Sequence, residues 1–291
     1  MIPPKFDYHA PGTVDEAIGL LQQSPGDAKV LAGGQSLLPL MKLRLAEPKV
    51  LVDISRIANL SYVREDGDWL RVGAATKIND LNDSPAIQSR YPLLADAGAH
   101  IADPLVRNMG TVGGNVCHGD PGNDLPACML ASGASYKVRG PKGDRSVPAQ
   151  EFYRDTFVTA LAPAEILTEV QLPKAQAGDG GAYLKMERKV GDFAIAAVAV
   201  HLRLDAKGSV TQAGIALTNV GPTVIMASKA ASSLVGHKPS DADLQAAAKL
   251  AAEAAQPTSD QRGPAEFKKG VVKTLAYRAL KKAWERAGGK S

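Results

Sequence analysis

The chain has 291 residues, 45% of them hydrophobic and 22% charged, with a formal net charge of +4. Length and balance together point to a globular protein of two domains and exclude a nucleic-acid-binding arm, because the basic residues are interspersed with acids along most of the chain. No apolar run has the length of a membrane span. The N-terminal "MIPPKFDYHAPG" carries two early prolines and lacks a signal-peptide core, so a cytoplasmic location is expected.

In chain order, Thr13 and Glu16 form a capping-box pattern ahead of a helix whose apolar face is Val14, Ala17, Ile18, Leu20 and Leu21. Ser24 to Asp27 ends it, and "AKVL" reads as a strand running into Gly33 and Gly34. Pro39 opposes a long helix in "LLPLMKLRL". A second strand ends at Asp53, and a hairpin turns at Asp66-Gly67-Asp68. Either Thr76 or Asn79 caps the helical region that follows, which breaks near Ser84-Pro85. A glycine-rich stretch then leads into a helix over 124–133 with Pro126 in its first turn. "SYKVRGPKGDRSVP" reads as a hairpin and "EILTEVQLP" as a strand.

Lys174 to Ala182, "KAQAGDGGA", reads as a connector between domains. Beyond it come two strands, "FAIAAVAVHLRLD" and "VTQAGIALTNV", and three helices. The last helix has an apolar stripe at Phe267, Val271, Val272, Leu275, Ala276, Ala279 and Leu280. Its basic residues Lys268, Lys269, Lys273, Arg278, Lys281 and Lys282 read as a solvated face, with a subunit contact as the alternative. The fold class expected is α+β.

Two stretches carry candidate chemistry. Both "LAGGQS" and "TVGGN" place a glycine pair beside small polar residues. Glycine adopts φ > 0 without a Cβ clash, and successive N–H groups in such turns can form an anion-holding nest. Either these are simple turns or they face one pyrophosphate from two sides. The GxGxxG and GxxxxGK[ST] motifs are missing, which disfavours a Rossmann or P-loop site. His118, Asp120 and Asp124, with Asp103 upstream, match no standard zinc spacing; a turn with Asp side chains bonding amides is the better reading. Asp124 either caps the following helix or accepts from a ligand hydroxyl. Cys117 and Cys128 are the only cysteines, too few for a four-thiolate cluster, and are expected to be buried thiols.

The stretches "LAGGQSLLPLMKLRLAEP", "LVDISRI", "IADPLVRNMGTVGGNVCHGDPGND" and "AYLKMERKVGDFA" together resemble the FAD-binding medium subunits of the molybdenum hydroxylase (xanthine oxidase) family. "GDPGNDLPA", "IALTNV" and "SDQRGPAEF" look most like its aerobic carbon monoxide dehydrogenase branch, with N-heterocycle (purine alkaloid, nicotinate-like) and aldehyde dehydrogenases as the alternative. The resemblance implies a PCMH-type, vanillyl-alcohol-oxidase-like FAD-binding domain over 1–177, with subdomains of about 1–57 and 58–177, and a C-terminal flavoprotein domain over 178–291 with an antiparallel sheet and helices.

It further implies a non-covalent FAD. Ala32, Gly33, Gly34, Gln35 and Ser36 would form one pyrophosphate turn, and Thr111, Val112, Gly113, Gly114 and Asn115 the other. Asp124 would meet the ribityl or adenosine part, Ile101 and Leu161 would contribute backbone, and Lys185 and Phe193 would lie near the flavin ring. Gln35 and Phe193 stand where relatives often carry His and Tyr. Lys185 either supplies positive charge beside flavin N1 or is a lysine at a domain surface, and Phe193 either contacts the ring or is a core aromatic. No catalytic or metal-ligating residue is expected here. The molybdenum cofactor and [2Fe–2S] clusters would lie in a large and a small partner subunit, within a dimer of heterotrimers that passes electrons through FAD to an external acceptor. The rival readings are a self-sufficient flavin oxidase, which would oxidise a substrate alone, and a flavin-free scaffold, which would show no flavin absorption.

Overall fold

The computed structural model describes residues 2–289, arranged as three lobes in an α+β architecture. In the first, strands Asp7–His9, Val50–Asp53 and Ala28–Leu31 form a parallel sheet in that order. The helix Val14–Gln23 buries Val14, Ala17, Ile18 and Leu21 against a small core that includes Val52, Ile54 and Ile57. Thr13 Oγ1 accepts from the Glu16 amide, as expected, but the Glu16 carboxylate reaches one residue further back and accepts from Gly12 N at 2.8 Å. The cap is therefore spread over two residues rather than closed on one.

The second lobe is a five-stranded antiparallel sheet in the order Val63–Asp66, Trp69–Gly73, Ile166–Pro173, Ser135–Gly140, Gly143–Pro148. Short helices cover it, and prolines punctuate them: Pro85, Pro92 and Pro104 each begin a new one. Neither expected cap of the helix Ile78–Asn82 serves as one. Lys77 occupies the N-cap position, Thr76 Oγ1 pairs with the backbone of Tyr62, and Asn79 lies inside the helix.

The C-terminal sheet runs antiparallel through Asp179–Met186, Ala196–Leu204, Val210–Thr218 and Ile225–Met226. The stretch read as a connector is thus half strand: only 174–178 link the lobes, and 179–182 begin the sheet. One face, with Val198, Val200 and Leu202, packs on the helices Asp241–Ala254 and Ala265–Arg286. The other, with Ala197, Ala199 and Ala216, joins the core of the second lobe. Small residues on that face let the sheet lie close to helices Pro92–His100 and Asp124–Ala131; a Cβ on Gly214 would overlap the Ala131 carbonyl, and one on Gly181 would lie 2.8 Å from Leu93 Cβ. Asp96 closes the interface from the side, accepting from Lys282 at 3.1 Å, Arg286 at 2.6 Å and the Tyr183 amide at 3.2 Å.

The long C-terminal helix departs from its sequence reading at its start. Phe267 is 45% exposed and lies against Gly263, whereas Lys268 is 2% exposed. Lys268 Nζ pairs with Asp260 at 2.7 Å and donates to the Thr258 carbonyl at 3.1 Å, so it belongs to no solvated face. Lys282 is likewise engaged within the chain, on Asp96.

Two glycine substitutions should have opposite signs. Gly214→Ala forces apart two packed backbones and should lower the unfolding free energy by about 2 kcal/mol or more. Gly19, within helix Val14–Gln23, has nothing within 4 Å of its would-be Cβ. Gly19→Ala should raise stability by about 0.5–1 kcal/mol. Denaturant unfolding of the two variants checks both.

Candidate cofactor-binding cleft

The first glycine loop leaves strand Ala28–Leu31 and enters helix Leu37–Lys42. Gly34 has φ 73°, where a side chain is strained and where a Cβ would lie 2.9 Å from Leu38 Cδ1. Gly33 is glycine for another reason: a Cβ there would overlap the Met109 carbonyl and lie 2.7 Å from Gly110 Cα. The amides of Gly33, Gly34, Gln35, Ser36 and Leu37 find no acceptor among the described residues. Gln35 and Ser36 are exposed, and Gln35 Nε2 makes only a long 3.4 Å bond back to the Gly33 carbonyl. A run of unpaired donors around a left-handed glycine is the geometry of an anion nest.

The second glycine motif is built differently. Thr111 is the N-cap of helix Val112–Cys117, its Oγ1 accepting from Gly114 N at 3.0 Å. Val112 N donates to Thr76 O, Gly113 N to Ala74 O and Asn115 N to Thr111 O, all within 2.8–2.9 Å. Four successive amides are therefore consumed inside the protein, and the expectation that this motif aims them at a phosphate is corrected. Its glycines serve close packing: a Cβ on Gly113 would sit 2.7 Å from Ala74 and one on Gly114 2.8 Å from Thr111 Oγ1. What the motif can offer a ligand is the exposed, side-chain-free surface at Gly114 and the Asn115 side chain, whose buried Oδ1 has no partner among the described residues.

The contact of Gly33 with Met109–Gly110 brings the two motifs together. From Asn115 the rim continues, because Asn123 Nδ2 donates to the Asn115 carbonyl at 2.8 Å. Asp120 Oδ1 accepts from Gly122 N, making the expected Asp-stabilised turn, while the His118 ring packs 5.1 Å from Phe157. Gly119 packs against Phe157 and Thr159, just ahead of the half-buried Leu161, and Gly122 lies under Phe193. Gly191 packs on the Ala102 carbonyl, next to Ile101. Phe193 is 47% exposed, so it is no core aromatic.

Asp124 does not cap its helix. It is the first helical residue, 5% exposed, accepting from the Tyr183 hydroxyl at 2.5 Å and from Lys185 Nζ at 3.2 Å. Burial pushes its carboxyl above the usual carboxylate range against the opposing pull of Lys185 and Tyr183. Both oxygens are thus engaged within the chain. Lys185 is also not the available cation the sequence suggested: its side chain is 1% exposed, and Nζ further donates to the His100 carbonyl at 3.1 Å. Glu187 Oε2 lies 3.3 Å from Nζ without hydrogen-bond geometry, which completes a buried cluster of one cation and two carboxylates. The Ile101 carbonyl is taken by Arg107 at 2.9 Å. Burial pushes the Cys117 thiol up to about 12, and that of Cys128 also upward.

Sequence reasoning passed over Tyr183, Asn123, Asp192 and Arg262. Tyr183 and Lys185 share a face of one strand, a period-2 signal in a stretch to which the sequence reading assigns no element, between the connector ending at Ala182 and the strand read from Phe193. Asp192 and Arg262 form an ion pair at 3.2 Å beside Phe193.

A strand-to-glycine nest, a second glycine motif pressed against it and the exposed Phe193 ring mark out a candidate cofactor site that carries neither the Rossmann nor the P-loop motif. The family model for the FAD binding domain in molybdopterin dehydrogenase matches residues 4–175, and that for the CO dehydrogenase flavoprotein C-terminal domain matches 181–283. The chain belongs to this family, as the medium, FAD-binding subunit of a molybdenum hydroxylase and hence an oxidoreductase component. It is most like carbon monoxide dehydrogenase medium chains. That of Hydrogenophaga pseudoflava is 47% identical over 98% of this chain and 99% of its own length. That of Afipia carboxidovorans is 43% identical over 99% of each. The solved structure of the Hydrogenophaga pseudoflava carbon monoxide dehydrogenase lacking the Mo-pyranopterin moiety superposes with a TM-score of 0.95 at 48% identity, over 98% of this chain and 99% of that one. Among the described residues no helix is long and apolar enough to cross a membrane.

Breaking the buried pair should be costly. Lys185→Met leaves Asp124 buried and uncompensated and should lower stability by about 3 kcal/mol. Combining it with Asp124→Asn should lose less than the sum of the single effects. Denaturant unfolding of the three variants measures the coupling.

Proposed function

We propose that this chain receives electrons from iron–sulfur clusters of a partner and passes them through FAD to an external acceptor, within a carbon-monoxide-dehydrogenase-like complex. The observation that carries the binding mode is the run of unpaired amides from Gly33 to Leu37, held against Met109–Gly110. A pyrophosphate carries two negative charges, and aligned N–H donors with no competing acceptor suit it. Ala32 to Ser36 supply the cradle. Thr111 to Asn115 supply the facing surface, with Asn115 Oδ1 able to accept from a ligand hydroxyl.

Further along, the loops at Ile101 and Leu161 shape the middle of the cleft, and the exposed Phe193 ring offers an apolar face to the isoalloxazine. Phe193 has no hydroxyl, so its contact is by stacking or packing alone. Asp124 and Lys185 act from beneath, by fixing helix Asp124–Ala131 against strand Asp179–Met186. When bound, FAD supplies the capacity to take up and release electrons singly or in pairs. On this reading residues 1–177 are the FAD-binding unit, with subdomains of about 1–57 and 58–177, and 178–291 are the C-terminal unit.

The partners on this reading are a small subunit with [2Fe–2S] clusters and a large subunit with the molybdenum cofactor, in a dimer of heterotrimers. Among the described residues no group of three or more His, Cys, Asp or Glu side chains could hold a metal ion. Substrate chemistry belongs, on this reading, to the large subunit. Carbon monoxide is the substrate favoured, on the strength of 47% identity along nearly the whole chain to a medium chain of that enzyme.

Gly34→Val should abolish FAD retention while the far-ultraviolet circular dichroism stays that of the wild type, because it puts a branched side chain on the left-handed residue of the nest; Gly33→Val, which forces the loop off Met109, should lose FAD and unfold at lower denaturant. Flavin absorption of the purified variants, alone and in the complex, checks this; full occupancy in either would refute the cradle. Assay of the purified complex with carbon monoxide against N-heterocycles tests the substrate.

A further inference from the structure

The turn around Arg262 is braced more heavily than a surface loop requires. Asp260 and Gly263 exchange backbone hydrogen bonds at 3.1 and 3.2 Å, and Asp260 Oδ1 accepts from Arg262 N at 2.8 Å. Beneath the turn, the buried Lys268 ammonium holds Asp260 Oδ2 and the Thr258 carbonyl, and Ser259 Oγ accepts from Ala265 N. The side chain this scaffold presents is that of Arg262. Its Nη2 lies 3.2 Å from Asp192 Oδ1, and its guanidinium carbon lies 6.0 Å from the centre of the Phe193 ring.

Asp192 is the junction. Its Oδ1 also accepts from Phe193 N at 2.8 Å, and its Oδ2 accepts from Arg188 Nε at 2.9 Å. One carboxylate thus joins Arg262 to the backbone that carries the exposed ring. The tip of the same loop is pinned at Gly191, φ 83°, against the Ala102 carbonyl. Arg262 keeps this place with its Nε buried and without an acceptor among the described residues. A residue present for stability alone would avoid that cost.

We propose that Arg262 is a positioning residue: the braced turn holds its guanidinium against Asp192 and Phe193, and thereby fixes the ring that faces the isoalloxazine. Lys268 serves the same end from below, by locking the turn. The inference rests on the FAD reading given above, and it adds a control over the flavin's surroundings from residues at the start of the C-terminal helix, outside the glycine motifs.

The test uses the full chain purified with FAD, with the visible circular dichroism of the bound flavin and its midpoint potential as readouts. Arg262→Gln should shift both in the same direction as Phe193→Leu, with FAD content retained. Adding Arg262→Gln to Phe193→Leu should produce no further shift, because the arginine acts through the ring. Arg262→Lys, which keeps the charge on Asp192 and loses the planar cover, should restore part of the wild-type signal. Asp192→Asn provides a second route to the same displacement should Arg262→Gln fold poorly. A wild-type flavin spectrum and potential in Arg262→Gln, or a shift that adds to that of Phe193→Leu, overturns the proposal. A wild-type chain that takes up no FAD either alone or within the assembled complex overturns the FAD reading itself, and that result is read before any variant is made.

Discussion

The closeness of the backbone at Gly33 to that at Met109 and Gly110 governs the cleft. A single methyl group at Gly33 would overlap the Met109 carbonyl, so the two glycine motifs meet only because one of them has no side chain. That contact leaves the amides from Gly33 to Leu37 facing outward with no competing acceptor, while the amides of the second motif turn inward to Thr76, Ala74 and Thr111. The two motifs look alike as sequence and differ in structure: the first leaves its amides without acceptors, and the second spends its amides within the chain. Their shared glycines answer different demands, left-handed backbone at Gly34 and close approach at Gly33, Gly113 and Gly114.

The same use of small residues extends to the contact between lobes. Alanines and glycines on one face of the C-terminal sheet bring it near helices Pro92–His100 and Asp124–Ala131, and charges then lock the arrangement. Asp96 gathers Lys282 and Arg286 at the edge, and Asp124 gathers Tyr183 and Lys185 in the interior. A buried ion cluster is weak evidence of stability, but it is strict about geometry, since each partner is costly when left alone. It therefore suits a place where a strand and a helix from different lobes must keep one relative position.

Much of this could be read before the structure, and the failures share a cause. The apolar stripe of the first helix, the strand at Ala28–Leu31 and the breaks at Ser84-Pro85 follow from local periodicity and turn chemistry. The strand Asp179–Met186 escaped because its first positions are Gly180, Gly181 and Ala182, small for the sake of close packing and so without alternation. "TVGGN" reads as a turn because two adjacent glycines disfavour a helix, whereas in the structure Thr111 caps one that begins at Val112. Lys268 looked solvated because its burial depends on Asp260 and Thr258, which lie on a separate turn. In the candidate site, the sequence marks the two glycine stretches that meet at Gly33 and Gly110 but not the surroundings of single side chains: Lys185 is the partner of a buried carboxylate, which no local pattern reveals.

The difference between the motifs is tested most directly by amide hydrogen exchange, residue by residue, in the chain with and without FAD. Gly33 to Leu37 should exchange freely in the stripped chain and become protected when FAD binds. Val112 to Asn115, already hydrogen-bonded, should be protected in both states. Protection that appears on FAD binding only at Val112 to Asn115, with Gly33 to Leu37 unchanged, would contradict the account.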